Sequence, residues 1–125
     1  MSLLFTGIYE AARAFEDYRL PECFSGLTRS EYTIPVKYPV ACSPQAWASG
    51  TMPFMLTASL GIAPDALNNR LIINKPHLPS WLDNVQFNNV KVGNMLTDLN
   101  FRRVEYETLV NVSKKNGDIN VLIEY

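Results

Sequence analysis

The sequence predicts an α+β fold: a helix, a long loop, a second helix, then an antiparallel sheet of four or five strands. Three observations carry this. Apolar residues recur every three or four positions before residue 65 and alternate in twos after it. Prolines and glycines fall between the periodic segments rather than inside a low-complexity tract. Asn116-Gly117, the strongest tight-turn pair in the chain, lies within the alternating part. The composition divides the same way, into residues 1–64 and 65–125.

The first helix is expected over residues 3–17, where Leu4, Ile8, Ala11 or Ala12, and Phe15 make one apolar stripe. Its only N-cap candidate is Ser2, so it has the look of a helix cut from a longer one. Residues 18–42 carry Pro21, Gly26, Pro35 and Pro39 and show no period. A loop of that length, rich in Tyr, Phe and Val, is functional rather than disordered.

Residues 44–60 predict the second helix. Ser43 would cap it, Pro44 would take its first position, Pro53 would kink it and Gly61 would end it. Ala46, Trp47, Gly50, Phe54, Met55, Leu56 and Leu60 cover most of its circumference, which calls for neighbours on every side.

Leu71-Ile72-Ile73 predicts the first strand. Val85, Phe87, Val90 and Val92 predict the second, and Gly93-Asn94 a hairpin. Alternation continues through Met95–Phe101, Val104–Val112 and Ile119–Tyr125, an antiparallel meander with one buried face. Pro76, Pro79 and Trp81 make a loop expected to cap the sheet or dock it on the helices.

Several function classes drop out. A net charge of −1 over 125 residues offers no basic surface for nucleic acid. The uncharged run from Tyr38 to Pro64 is broken by Pro39, Pro44, Gly50, Pro53 and Gly61, so it does not predict a membrane span. One histidine and no CxxC leave no metal site, and no cofactor is expected. Residues 1–18 lack a secretory leader pattern, so the chain is read as cytoplasmic. Cys23 and Cys42 are a disulfide or two buried thiols, with buried thiols favoured.

The candidate chemistry sits in two blocks. Arg19-Leu20-Pro21-Glu22 puts a carboxylate in apolar company on a stiff loop, a setting for general acid or base work. The plain alternative is a loop glutamate paired with Arg19 or Arg29. The second block is Pro39-Val40-Ala41-Cys42-Ser43-Pro44-Gln45-Ala46-Trp47. Gln45 adds an amide to the free N–H groups of a helix start, and Trp47 offers a flat face to a sugar ring. Arg19 either binds a sugar hydroxyl or pairs with Glu22. His77 and Trp81 read as structural. Arg102, Arg103, Glu105 and Glu107 read as the solvated face of the sheet, and Lys114 and Lys115 as the approach to a turn.

With Leu71 to Pro76 and Leu78-Pro79-Trp81-Leu82, these two blocks resemble the C-terminal end of glycogen-debranching-type amylo-α-1,6-glucosidases. In that family a barrel of six helical hairpins is followed by a short β segment. The resemblance therefore implies that residues 1–64 hold the last helices and an active-site loop of an (α/α)6 barrel. Residues 65–125 would be the C-terminal β segment. It implies an inverting hydrolase with Glu22 as general base, and with Arg19, Gln45 and Trp47 at the sugar. The general acid would come from an earlier part of the family's chain, so this chain alone is expected to be inactive. The implied partners are an α-glucan or oligosaccharide and the rest of the barrel, in the same or another chain. Open barrel faces would also favour self-association. The rival reading is a non-catalytic carbohydrate-binding or interaction module that completes a barrel with another chain.

Overall fold

The computed structural model describes residues 2–125, without the side chains of Ser2, Lys114 and Lys115. The sequence readings that rest on Met1 or on those side chains lie outside the described residues. The fold is mixed α+β, with two α-helices and two small sheets. The chain forms two compact units, residues 1–55 and 56–125.

In the first unit, helix α1 is Ser2–Arg13, ending four residues earlier than expected. A separate 3-10 turn, Glu16–Tyr18, follows it, with Asp17 and Tyr18 at positive φ. The buried face also differs. Phe5, Ala11 and Ala12 are buried while Leu4 is exposed. Ala11 and Ala12 pack with Leu20, Ile8, Phe24, Ala48 and Met52, and this small cluster is the unit's core.

The long loop folds back on itself. Ser25 N–H donates to the Val36 carbonyl (2.8 Å), Tyr38 N–H to the Cys23 carbonyl (3.1 Å), and Phe24 bridges Lys37. Arg29 reaches Glu10 at 2.7 Å and ties the loop tip to α1.

The predicted helix 44–60 is a 3-10 turn, Trp47–Gly50, followed by helix α2, Thr51–Ser59. Ser43 is not its cap and Pro44 is outside it, since helical residues begin at Trp47 after Ala46. Pro53 produces no mid-helix kink. It falls in the first turn of α2, where an N–H has no partner within the helix. Nor is the apolar circumference covered: Trp47 is 74% exposed and Phe54 71%.

In the second unit, Gly61 follows α2 at φ +62, as its place at the helix end predicts. Strand β1, Ile62–Asp65, comes next and pairs antiparallel with β2, Arg70–Asn74. β3 (Asn84–Val92), β4 (Met95–Val104) and β5 (Glu107–Asn116) form an antiparallel meander. A bulge between Phe87 and Val90 is held by Asp98, whose Oδ1 accepts from Asn89 N–H at 2.6 Å.

Two expectations fail here. The alternation from Val104 to Val112 is broken by a two-residue turn at Glu105-Tyr106, with Glu105 at φ +54. Asn116-Gly117 does turn the chain, but not into a hairpin. The last strand, β6 (Asn120–Glu124), leaves the meander and pairs parallel with β2. The sheet region is therefore two three-stranded sheets, β1-β2-β6 and β3-β4-β5, rather than one meander.

Both sheets feed one core: Leu71 and Ile73 from β2, Val92 from β3, Met95, Leu99 and Phe101 from β4, with Leu60, Leu78 and Ile119. The loop at 76–82 docks as expected. Pro76, Leu78 and Pro79 are buried, Leu78 N–H donates to Thr108 Oγ1 at 2.9 Å, and His77 N–H donates to the Ser59 carbonyl at the end of α2.

Asp65 closes a small network at the end of β1. It accepts from the Asn68 amide at 3.0 and 2.9 Å and from Arg70 at 3.1 and 2.6 Å. The Asn68 bonds, then those from Arg70, hold its carboxyl below the ordinary value of 3.8 against the opposing effect of burial. A folded-state value below the unfolded one means stability that is full above pH 3.8 and lost as pH falls through the folded value. Asp65→Asn should therefore lower the thermal midpoint at pH 7. The gap between variant and parent should close on acidification below the ordinary value. Thermal melts at both pH values measure this, and a gap that persists in acid would count against it.

Candidate functional site

The two sequence blocks meet. Glu22 N–H donates to the Cys42 carbonyl at 2.9 Å, and Gln45 N–H donates to the Leu20 carbonyl at 3.1 Å. In return Cys42 N–H donates to Glu22 Oε2 at 3.3 Å. Leu20–Glu22 therefore runs beside Cys42–Gln45, locked by main-chain bonds, even though some twenty residues separate them. Proline explains the local shape. Pro21, Pro39 and Pro44 cannot donate, which leaves the remaining N–H groups to cross-link the segments, and Pro39 sits in a turn closed by Ala41 N–H donating to the Tyr38 carbonyl at 3.0 Å.

Glu22 is exposed rather than held in apolar company. Its apolar neighbours in sequence, Leu20 and Pro21, turn inward and are buried, while the carboxylate stays at the surface. One oxygen is directed by Cys42 N–H. Arg19 pairs with Asp17 at 3.5 Å and Arg29 with Glu10, so neither pairs with Glu22 as the plain alternative required. Gln45 is half-buried and turns its Oε1 onto the next residue, accepting from Ala46 N–H at 3.0 Å. Trp47 stands out from the 3-10 turn with most of its indole exposed. Cys23 and Cys42 are free and exposed, so the expectation of buried thiols is corrected.

No protein-family model matches this chain, no curated protein matches its sequence, and no solved structure matches its fold.

A cavity of about 360 Å³ opens beside the blocks. Arg19 lines it with Glu16, Lys37, Phe15, Ile34 and Pro44, whereas Glu22, Gln45 and Trp47 do not. The structure thus joins Glu22 to the segment bearing Gln45 and Trp47, and sets Arg19 on a neighbouring hollow. Glu16 and Lys37 were missed as cavity residues. Glu16 reads as helix surface on period alone, and nothing in the sequence signals that Lys37 folds back toward Phe24. Among the described residues no helix is long and apolar enough to cross a membrane.

Proposed function

We propose that this chain is the C-terminal part of a cytoplasmic debranching-type α-glucosidase. Its substrates would be α-1,6 branch points of glycogen-like glucans, cleaved with inversion. One observation carries the reading. Glu22 is a solvent-reached carboxylate with one oxygen directed by a peptide N–H, and it is fastened to the segment that presents Gln45 and Trp47.

An inverting hydrolase needs a carboxylate that takes a proton from water as that water attacks the anomeric carbon. The second oxygen of Glu22 is available for that proton. The Gln45 amide suits a sugar hydroxyl, and the exposed Trp47 face suits the C–H face of the ring. The general acid belongs to the rest of the barrel. The exposure of Leu3, Trp47 and Phe54 favours a related reading, in which the chain completes its barrel with a second chain.

Branched dextrin should quench Trp47 fluorescence in a Trp81→Phe background, and Glu22→Gln should weaken that response. Neither the chain alone nor Glu22→Gln should release glucose. In a complete barrel Glu22→Gln should lower turnover on the order of 10²–10⁴-fold. Glucose release by the chain alone that Glu22→Gln abolishes would place a second carboxylate within these residues and overturn the fragment reading. A Trp47 indifferent to saccharide would remove the site.

A further inference from the structure

The outer face of the β3-β4-β5 sheet holds a feature that the solvated-face reading does not explain. Burial alternates along β4, with Leu99 and Phe101 inward, so Asn100 and Arg102 face outward. The register sets Asn84 opposite Arg102, Arg102 opposite Leu109, and Asn100 opposite Asn111. Cross-strand partners lie about 4.5–5.5 Å apart at Cβ, so the patch spans roughly 10 Å, room for one hexose with its substituents. These side chains line an open cavity of about 1000 Å³, together with Tyr125 and the Asp83–Arg103 ion pair, in which the carboxylate is already neutralised.

Asparagine is depleted in strands, yet it sits on all three here. Among the described residues, the side chains of Asn84, Asn100 and Asn111 make no hydrogen bond within the protein. Their polar neighbours do: Gln86 donates to Asn88 at 2.9 Å, and Asp98 holds the bulge.

Arg102 is the exception among the arginines. Arg19, Arg29, Arg70 and Arg103 each hold a carboxylate, and Arg13 lies 5.9 Å from the Tyr9 ring centroid. Among the described residues Arg102 has neither kind of partner. The next residue, Arg103, also borders this cavity, but its charge is taken by Asp83.

We propose that this face binds a sugar bearing one acidic group, a phosphate ester or a carboxylate, through Arg102 and the amides of Asn84, Asn100 and Asn111. The guanidinium fork is built for a two-oxygen anion, and an unpaired one exerts its full attraction. Each amide donates and accepts, which matches hydroxyls that do the same. Leu109 supplies an apolar spot for the ring's C–H face. The site stands apart from the glycosidase reading and does not depend on it.

The test is an amide chemical-shift titration of the full chain with glucose 6-phosphate, glucuronic acid, glucose and inorganic phosphate. At least one acidic sugar should shift the amides of Asn84, Asn100, Arg102 and Asn111. It should bind about tenfold more tightly than glucose or phosphate. Which acidic sugar wins identifies the anion. Arg102→Gln should remove that advantage over glucose, and Asn100→Ala the advantage over phosphate, with the thermal midpoint unchanged. Equal binding of glucose, equal binding of phosphate, shifts elsewhere, or no shift at millimolar ligand would each overturn the proposal. The titration of the unaltered chain decides even if a variant fails to fold.

Discussion

Replacing Gly61 by alanine is expected to cost about 3–5 kcal/mol and to lower the thermal midpoint of the second unit by roughly 15–30 °C. Two penalties combine. Gly61 sits at φ +62, in the left-handed region where a Cβ is disfavoured. A Cβ placed there would also lie 1.9 Å from the Asn74 carbonyl oxygen and 2.8 Å from its carbon. Those atoms are backbone and cannot rotate away. Asn74 is fixed by its own N–H bond to the Gly61 carbonyl at 3.0 Å and by the β1–β2 ladder that begins beside it. Relief requires the sheet to move.

A comparison separates the two penalties. Gly93 has nearly the same φ, +60, but nothing nearer than 3.9 Å to a built Cβ. Asparagine tolerates left-handed backbone, so Gly93→Asn should shift the midpoint little. Gly61→Asn should remain as damaging as Gly61→Ala. Thermal unfolding of the three variants settles it, and a mild Gly61→Asn would mean that the backbone yields at Asn74.

Phe101→Ala is expected to cost about 3–5 kcal/mol with an unchanged denaturant slope. Phe101 is fully buried on the central strand of the meander and meets Phe87 edge-on, with centroids 5.8 Å apart and planes at 82°. Removing the ring leaves a void between two sheets whose ladders prevent collapse, and it forfeits the edge-to-face contact as well. Tyr106→Ala provides the contrast. Tyr106 is 95% exposed in the β4–β5 turn, and its loss should stay within about 0.5 kcal/mol. Urea midpoints of the two variants test this, and similar values would mean that the core is not where burial places it.

The strands were legible where the sequence alternates without interruption. Met95, Thr97, Leu99 and Phe101 are all buried on β4, and Gly93-Asn94 turns the chain as its composition demands. The Glu105-Tyr106 turn was not legible, because Glu105 takes a positive φ that glycine or asparagine would have announced. β6 was misassigned for a different reason. Alternation says which face of a strand is buried but not which strand is its neighbour. Only the hydrogen-bond register shows that Val121 lies against Leu71 and Ile123 against Ile73.

At the site, the blocks themselves were legible and their surroundings were not. Leu20 and Pro21 suggested a carboxylate in apolar company, yet those side chains turn inward and leave Glu22 at the surface. Cys42 reads in the sequence as a thiol and as one position of its block. Its peptide group, which residue type does not reveal, is what fastens Glu22.

The parallel pairing of β6 with β2 also sets an order of events. Residues 70–74 meet residues 120–124 only after everything between them has been made. The meander can close through local two-residue turns, but the other sheet cannot be completed until the chain returns past it. Joining distant segments is slow because chain entropy must be spent before contacts form. During synthesis β2 therefore waits with one edge unpaired and Leu71 and Ile73 uncovered, the interval in which a neighbouring copy can pair with it. Expression yield should accordingly respond more to charge and proline near β2 than to any change in the meander's turns.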